Sequence, residues 1–124
     1  MQRMSLRIFS AFVIGVVLWV LYGAATDEDG LRGFALDLIY DFPTTYTSQY
    51  SWEAFNAVAI GRSESEVVRS LGIPLTKWRY VHQGENVYVF QYSLPVGQLG
   101  HYRQRDIHMK GSKVFRIVTS AFVD

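Results

Sequence analysis

With no cysteine in the 124-residue chain, the residues best able to do chemistry are three histidines and eleven carboxylates. The missing thiols exclude disulfides, thiolate zinc sites, cysteine nucleophiles and an acylated lipoprotein cysteine. His82, His101 and His108 fall in a predicted turn, a strand entry and a strand. A metal centre built from them would require the fold to gather distant positions. Asp37 and Asp41 stand one turn apart on a predicted helix, a spacing that suits a shared cation and equally a solvated helix face. There is no G-x-S-x-G elbow, phosphate-binding loop, H-E-x-x-H pair or acidic calcium loop, and no serine has an evident activating base. These residues predict a protein that is not an enzyme, with no metal, no cofactor and no small-molecule substrate. Binding is the chemistry that remains.

Charge says what kind of binding. The formal net charge is only +1, which gives no footprint for nucleic acid. Its distribution is uneven. Between Thr26 and Glu66 eight acids face two arginines, whereas Thr76–Thr119 holds seven bases against Glu85 and Asp106. Solvated strand faces account for such a pattern, and so does a basic surface that meets an acidic partner or anionic lipid headgroups.

The elements that must position these residues begin with an apolar segment. Arg3 and Arg7 precede an uncharged run from Ile8 to Ala25, and Asp27-Glu28-Asp29 follows it. Eighteen helical residues span about 27 Å, close to the ~30 Å hydrocarbon core of a bilayer. Bases before and acids after predict a cytoplasmic N-terminus with the remainder outside, and Trp19 and Tyr22 suit the outer interface. A cleaved signal peptide has the same basic start and small residues before its cut, here Gly23-Ala24-Ala25. The expectation is an inner-membrane, single-pass protein with a periplasmic C-terminal domain. The alternative is a secreted or periplasmic one after cleavage following Ala25.

Beyond the segment, Leu31–Phe42 has helical apolar spacing and stops at Pro43, and Thr44–Ser51 reads as a polar linker. Trp52–Ile60 predicts a short helix. A second starts at Ser63, with Glu66 completing a capping box, and ends at Gly72 before Pro74. The period then changes to two. Lys77–Val81, Val87–Leu94, Arg103–Met109 and Lys113–Thr119 read as strands, the last two as a hairpin around Lys110-Gly111-Ser112. The predicted class is α+β: two to three short helices on a three- to four-stranded antiparallel sheet. The predicted divisions are residues 1–25 for the membrane segment, 26–51 for helix and linker, and 52–124 for the α+β domain.

The run Gly61-Arg62-Ser63-Glu64-Ser65-Glu66-Val67-Val68-Arg69-Ser70-Leu71-Gly72-Ile73-Pro74 resembles the helix pattern of the SmpA/OmlA (BamE-like) family. So do Trp78-Arg79-Tyr80 and Lys113-Val114-Phe115-Arg116-Ile117 as strands. The resemblance covers residues 55–118. It implies two helices on a small antiparallel sheet, an arrangement shared with β-lactamase-inhibitor proteins, and a place in an envelope protein complex. Members of that family are tethered by an acylated cysteine, so a membrane helix would replace it here.

One strand points to a contact surface. Tyr88, Phe90 and Tyr92 lie on one face of Val87–Leu94 and Val87 and Val89 on the other, so both faces need a cover. Either the Leu31–Phe42 helix or a partner supplies it. Arg103 and Arg105 share the parity of Ile107 and Met109 and are expected to emerge at the end of the core face. Val87, Val89, Arg103 and Arg105 are therefore the candidate partner-contact residues. The expected function is a membrane-tethered, extracytoplasmic protein-interaction module that meets another envelope protein. A secreted inhibitor or immunity-type binding protein is the alternative.

Overall fold

The computed structural model describes residues 2–97 and 100–123, with side chains described from Ile8 onward. The chain divides into two compact units after Ile39. The first is a helical hairpin. Helix α1 (Gln2–Thr26) holds the apolar run, and Ile8–Thr26, with mean hydropathy 2.3, is long and apolar enough to cross a membrane. After a tight turn in which the Asp29 N–H donates to Asp27 Oδ1 at 2.8 Å, α2 (Gly30–Asp37) folds back. Phe34 lies on Gly23, where a Cβ would run into its ring, and its centroid is 5.2 Å from that of Trp19, edge to face. Gly33 is buried, and a Cβ there would strike the Asp27 carboxylate. Two glycines thus permit the close approach of the hairpin arms.

The second unit is α+β. Among the described residues, six strands form two antiparallel sheets. Strands β2 (Thr76–His82), β3 (Glu85–Gln91), β5 (Tyr102–Lys110) and β6 (Lys113–Phe122) make a four-stranded sheet in the order β2-β3-β5-β6. Strands β1 (Thr44–Tyr46) and β4 (Ser93–Pro95) pair separately, Thr45 opposite Leu94. Two-residue turns close the β2–β3 and β5–β6 hairpins, with positive φ at Gln83 (50°), Gly84 (78°), Gly111 (58°) and Ser112 (59°). That backbone twist matches the twist of the flanking strands.

Helices α3 (Trp52–Asn56) and α4 (Glu64–Leu71) cover one face of the larger sheet. Phe55, Val67 and Leu71 from the helices meet Phe90, Tyr92, Ile107, Met109 and Val114 in the core. The Ser63–Glu66 capping box forms as expected, with Glu66 N–H donating to Ser63 Oγ at 3.3 Å and Ser63 N–H to Glu66 Oε2 at 3.1 Å. At the other end of α4 the carbonyls of Leu71 and Gly72 accept from Thr47 Oγ1 (3.3 Å) and Tyr92 Oη (3.0 Å). Burial, and then the charge of Glu64, raises the Tyr92 pKa, so its hydroxyl stays a donor.

Several boundaries depart from those the sequence predicts. Helix α2 ends at Asp37 rather than Phe42, because Tyr40 and Phe42 belong to the second unit, where Tyr40 packs 4.9 Å from His101. Asp41 is therefore not on a helix face with Asp37. Thr44–Ser51 is no linker: it supplies β1, the Tyr46–Tyr50 stack at 4.3 Å and the Ser51 cap of α3. Helix α3 stops at Asn56: Ala57 and Val58 N–H close its last turn on Glu53 O and Phe55 O, and the chain then reaches β6. Gly61 N–H donates to Val114 O, and Val114 N–H to Arg62 O, both at 2.8 Å. The Val87–Leu94 strand breaks at Tyr92, beyond which Ser93–Pro95 changes sheet. Gly72 ends α4 with a positive φ (80°), as glycine caps do, but its ψ of −171° is extended rather than left-handed helical.

Candidate interaction surfaces

Strand alternation places the four candidate contact residues on the expected faces, and packing withdraws them from solvent. Val87, Val89 and Arg105 are 0% exposed, and Arg103 is half-buried. Val87, Val89 and Arg105 therefore offer no accessible side chain in this structure, whereas Arg103 keeps part of its surface. Part of the cover over the valines comes from within the sheet. Tyr80 pairs with Val87, and Val89 with His108, so all four side chains share the face away from α3 and α4. Tyr80 Oη meets His108 Nδ1 at 2.9 Å, and to do so it must reach across β3 above the valines. His108 is held below the usual histidine pKa by its burial and then by Arg116, which favours the neutral ring in that bond.

Arg105 does lie on the core face with Ile107 and Met109, as its parity predicts. The end of that face is closed rather than open. The Arg105 guanidinium stacks 5.2 Å from the Trp52 ring, donates from Nε to Tyr50 Oη at 3.2 Å and from Nη1 to Gln104 O at 2.8 Å. The backbone of Arg103 donates to Thr44 Oγ1 at 2.9 Å, and its guanidinium lies 5.9 Å from the Phe42 ring. These residues tie the segment from Phe42 to Trp52 onto β5. The sequence signal was present in the tyrosines and tryptophan of Thr44–Trp52, which are cation-stacking residues.

An open surface exists one strand away. The helices cover β5 and β6 and reach β3 at Phe90, where Lys77 Nζ sits 4.3 Å above the ring and 3.6 Å from Glu64 Oε1. Beyond Lys77 the same face is bare. Arg79 opposes Tyr88, and Val81 follows on that face. Val81 is 68% exposed, Tyr88 45%, and Trp78 on the reverse of the strand 47%. Arg79 is exposed and has no ion pair among the described residues. Strand β2 is the edge of its sheet, so one row of its backbone groups has no strand neighbour. No protein-family model matches the chain, and no curated protein matches it.

The other surface features are weaker. A shallow groove of about 520 Å³ between α3 and α4 is lined by Ala54, Ala57, Val58, Val67 and Ser70, with Arg62 and Glu66 3.8 Å apart at its margin. His82 packs 5.4 Å from Phe115, and His101 against Tyr40. Among the described residues, no three metal-ligating side chains come together. Asp106 is fully buried, accepting at Oδ2 from Gln104 Nε2 at 2.7 Å, while its Oδ1 has no hydrogen-bond partner among the described residues. Burial raises its pKa against the lowering effect of Gln104 and Gln91.

Proposed function

We propose that this protein is a membrane-tethered interaction module, held by α1 on the outer side of a cytoplasmic membrane, that binds another envelope protein without catalysis. The observation that carries this reading is the uncovered corner of β2: Val81 and Tyr88 on one face, Trp78 on the other, and Arg79 between them with no ion pair among the described residues. An apolar centre beside a cation is common interface anatomy. An exposed edge strand accepts an extended segment through main-chain hydrogen bonds. The partner is therefore an extended segment that carries apolar side chains and an acidic one to meet Arg79.

The two helices on a four-stranded antiparallel sheet agree with the architecture that the SmpA/OmlA resemblance implies, which supports a BamE-like domain as part of the reading. The tether is supported by the hairpin. Gly23-Ala24-Ala25, the segment before a signal cut, lies within α1, and Gly23 carries Phe34 of α2. Removal of α1 would strip α2 of that packing.

Site-specific photo-crosslinking in native membranes tests the surface. A photoreactive residue at Val81 or Trp78 should capture a defined partner, and one at Ile60, an exposed apolar residue on the α3–α4 loop, should not. The crosslink should weaken with Arg79→Glu. Equal capture from all three positions, or none from β2, contradicts the surface.

A further inference from the structure

We infer that α2 is a second membrane contact, with Leu31, Leu38 and Ile39 resting in the headgroup–acyl boundary of the outer leaflet beside the end of α1. The inference rests on the reading of α1 as a membrane tether and extends it to a segment outside the span. Trp19 lies seven residues before the end of α1 at Thr26, about 10 Å along the helix axis at ~1.5 Å per residue. Phe34, with its ring 5.2 Å from that of Trp19 and seated on Gly23, therefore returns to the depth of the last two turns. The uncharged run spans only about 27 Å of a ~30 Å core, so what packs on its last two turns enters the membrane interface.

What α2 and the two residues after it then present is apolar. Leu31 is 60% exposed, Leu38 58% and Ile39 74%, while Phe34 is turned to α1. Leu31, Ala35 and Leu38 follow the four- and three-residue steps of one helical stripe. All of them belong to the unit that holds α1. Arg32 is exposed beside the stripe, where its long stem can lie along acyl chains while the guanidinium reaches phosphate. The acids Asp27, Glu28, Asp29 and Asp37 bracket the helix and keep it shallow. They also set the lipid chemistry, since an anionic surface would repel them. The face fits a zwitterionic leaflet.

The absence of cysteine in the chain makes the test direct. Single cysteines replace Leu31, Leu38 or Ile39 in the full chain, reconstituted in phosphatidylcholine vesicles and labelled with a nitroxide. Collisions with oxygen, which concentrates in lipid, are compared with collisions with a water-soluble nickel chelate. A Phe12→Cys label, exposed within the span, reports on the tether itself. Expected is an oxygen-to-nickel ratio at Leu31 and Leu38 above that of free label in buffer and below that at Phe12. A ratio at α2 equal to free label, with Phe12 in lipid, overturns the inference and leaves the tether standing. Exclusion of both quenchers at α2 means that protein covers the stripe, and overturns it equally. A water-like ratio at Phe12 defeats the tether reading itself.

Discussion

Single residues carry conformational demands at Gly72 and Ser63 and opposed electrostatic ones at His108 and Asp106. At Gly72, φ 80° with ψ −171° lies in a region that is essentially glycine-only, and a Cβ would press on Gln49. Gly72→Ala should cost about 1–3 kcal/mol in a denaturant melt, and Ser63→Ala about 0.5–2 kcal/mol through loss of its cap. His108 and Asp106 respond to pH in opposite senses. The folded pKa of His108 is lowered from 6.5, so the neutral ring's contribution is full above that value and lost as pH falls through the folded one. The folded pKa of Asp106 is raised from 3.8, so its contribution is present below that value and lost as pH rises through the folded one. Asp106→Asn should therefore gain stability relative to the parent as pH rises from acid to neutral. A stability difference that does not change with pH would contradict the burial of a charged Asp106.

The elements show how far a sequence reading reaches. The capping box, the Gly72–Pro74 stop and the hairpin around Lys110-Gly111-Ser112 were legible because each is encoded within a few neighbouring residues. Alternation along β3 and β5 was legible too. It set which face each side chain took, but not what stood above it. Tyr80 reaching His108 across β3, and Trp52 stacking on Arg105, join positions 28 and 53 residues apart, which local spacing does not reveal. That β2 is an edge strand follows from sheet order, another non-local property, so the sequence shows Arg79 and Val81 only as part of a short strand. Paired substitutions separate the two sides of this sheet. Val89→Asp buries an uncompensated charge and should unfold the domain, losing its near-ultraviolet dichroism. Val81→Asp should keep the parent's melt and weaken partner capture. Tyr80→Phe should cost about 0.5–1.5 kcal/mol, the usual net loss for one hydrogen bond. In the hairpin, Phe34→Ala removes the contact with Gly23 and Trp19, so amide exchange in α2 should quicken while exchange within β3 and β5 stays unchanged.

At the scale of the whole molecule the chain joins an apolar helix able to span a bilayer to an α+β domain with an uncovered edge. In the proposed arrangement the helix limits diffusion to a membrane plane and raises the local concentration of partners held there. The contact itself can then be small. Rim charges chiefly govern association rate, so Arg79→Ala should slow capture most at low salt, and added salt should narrow the difference from the parent. An unchanged association rate at low salt would remove Arg79 from the contact. Labelling of Val81→Cys with a membrane-impermeant maleimide in right-side-out vesicles reports on tether and orientation together. The prediction is labelling before lysis, on a full-length chain that stays with the membrane after an alkaline wash. Labelling only after lysis, or a labelled soluble chain that begins at Thr26, would contradict it.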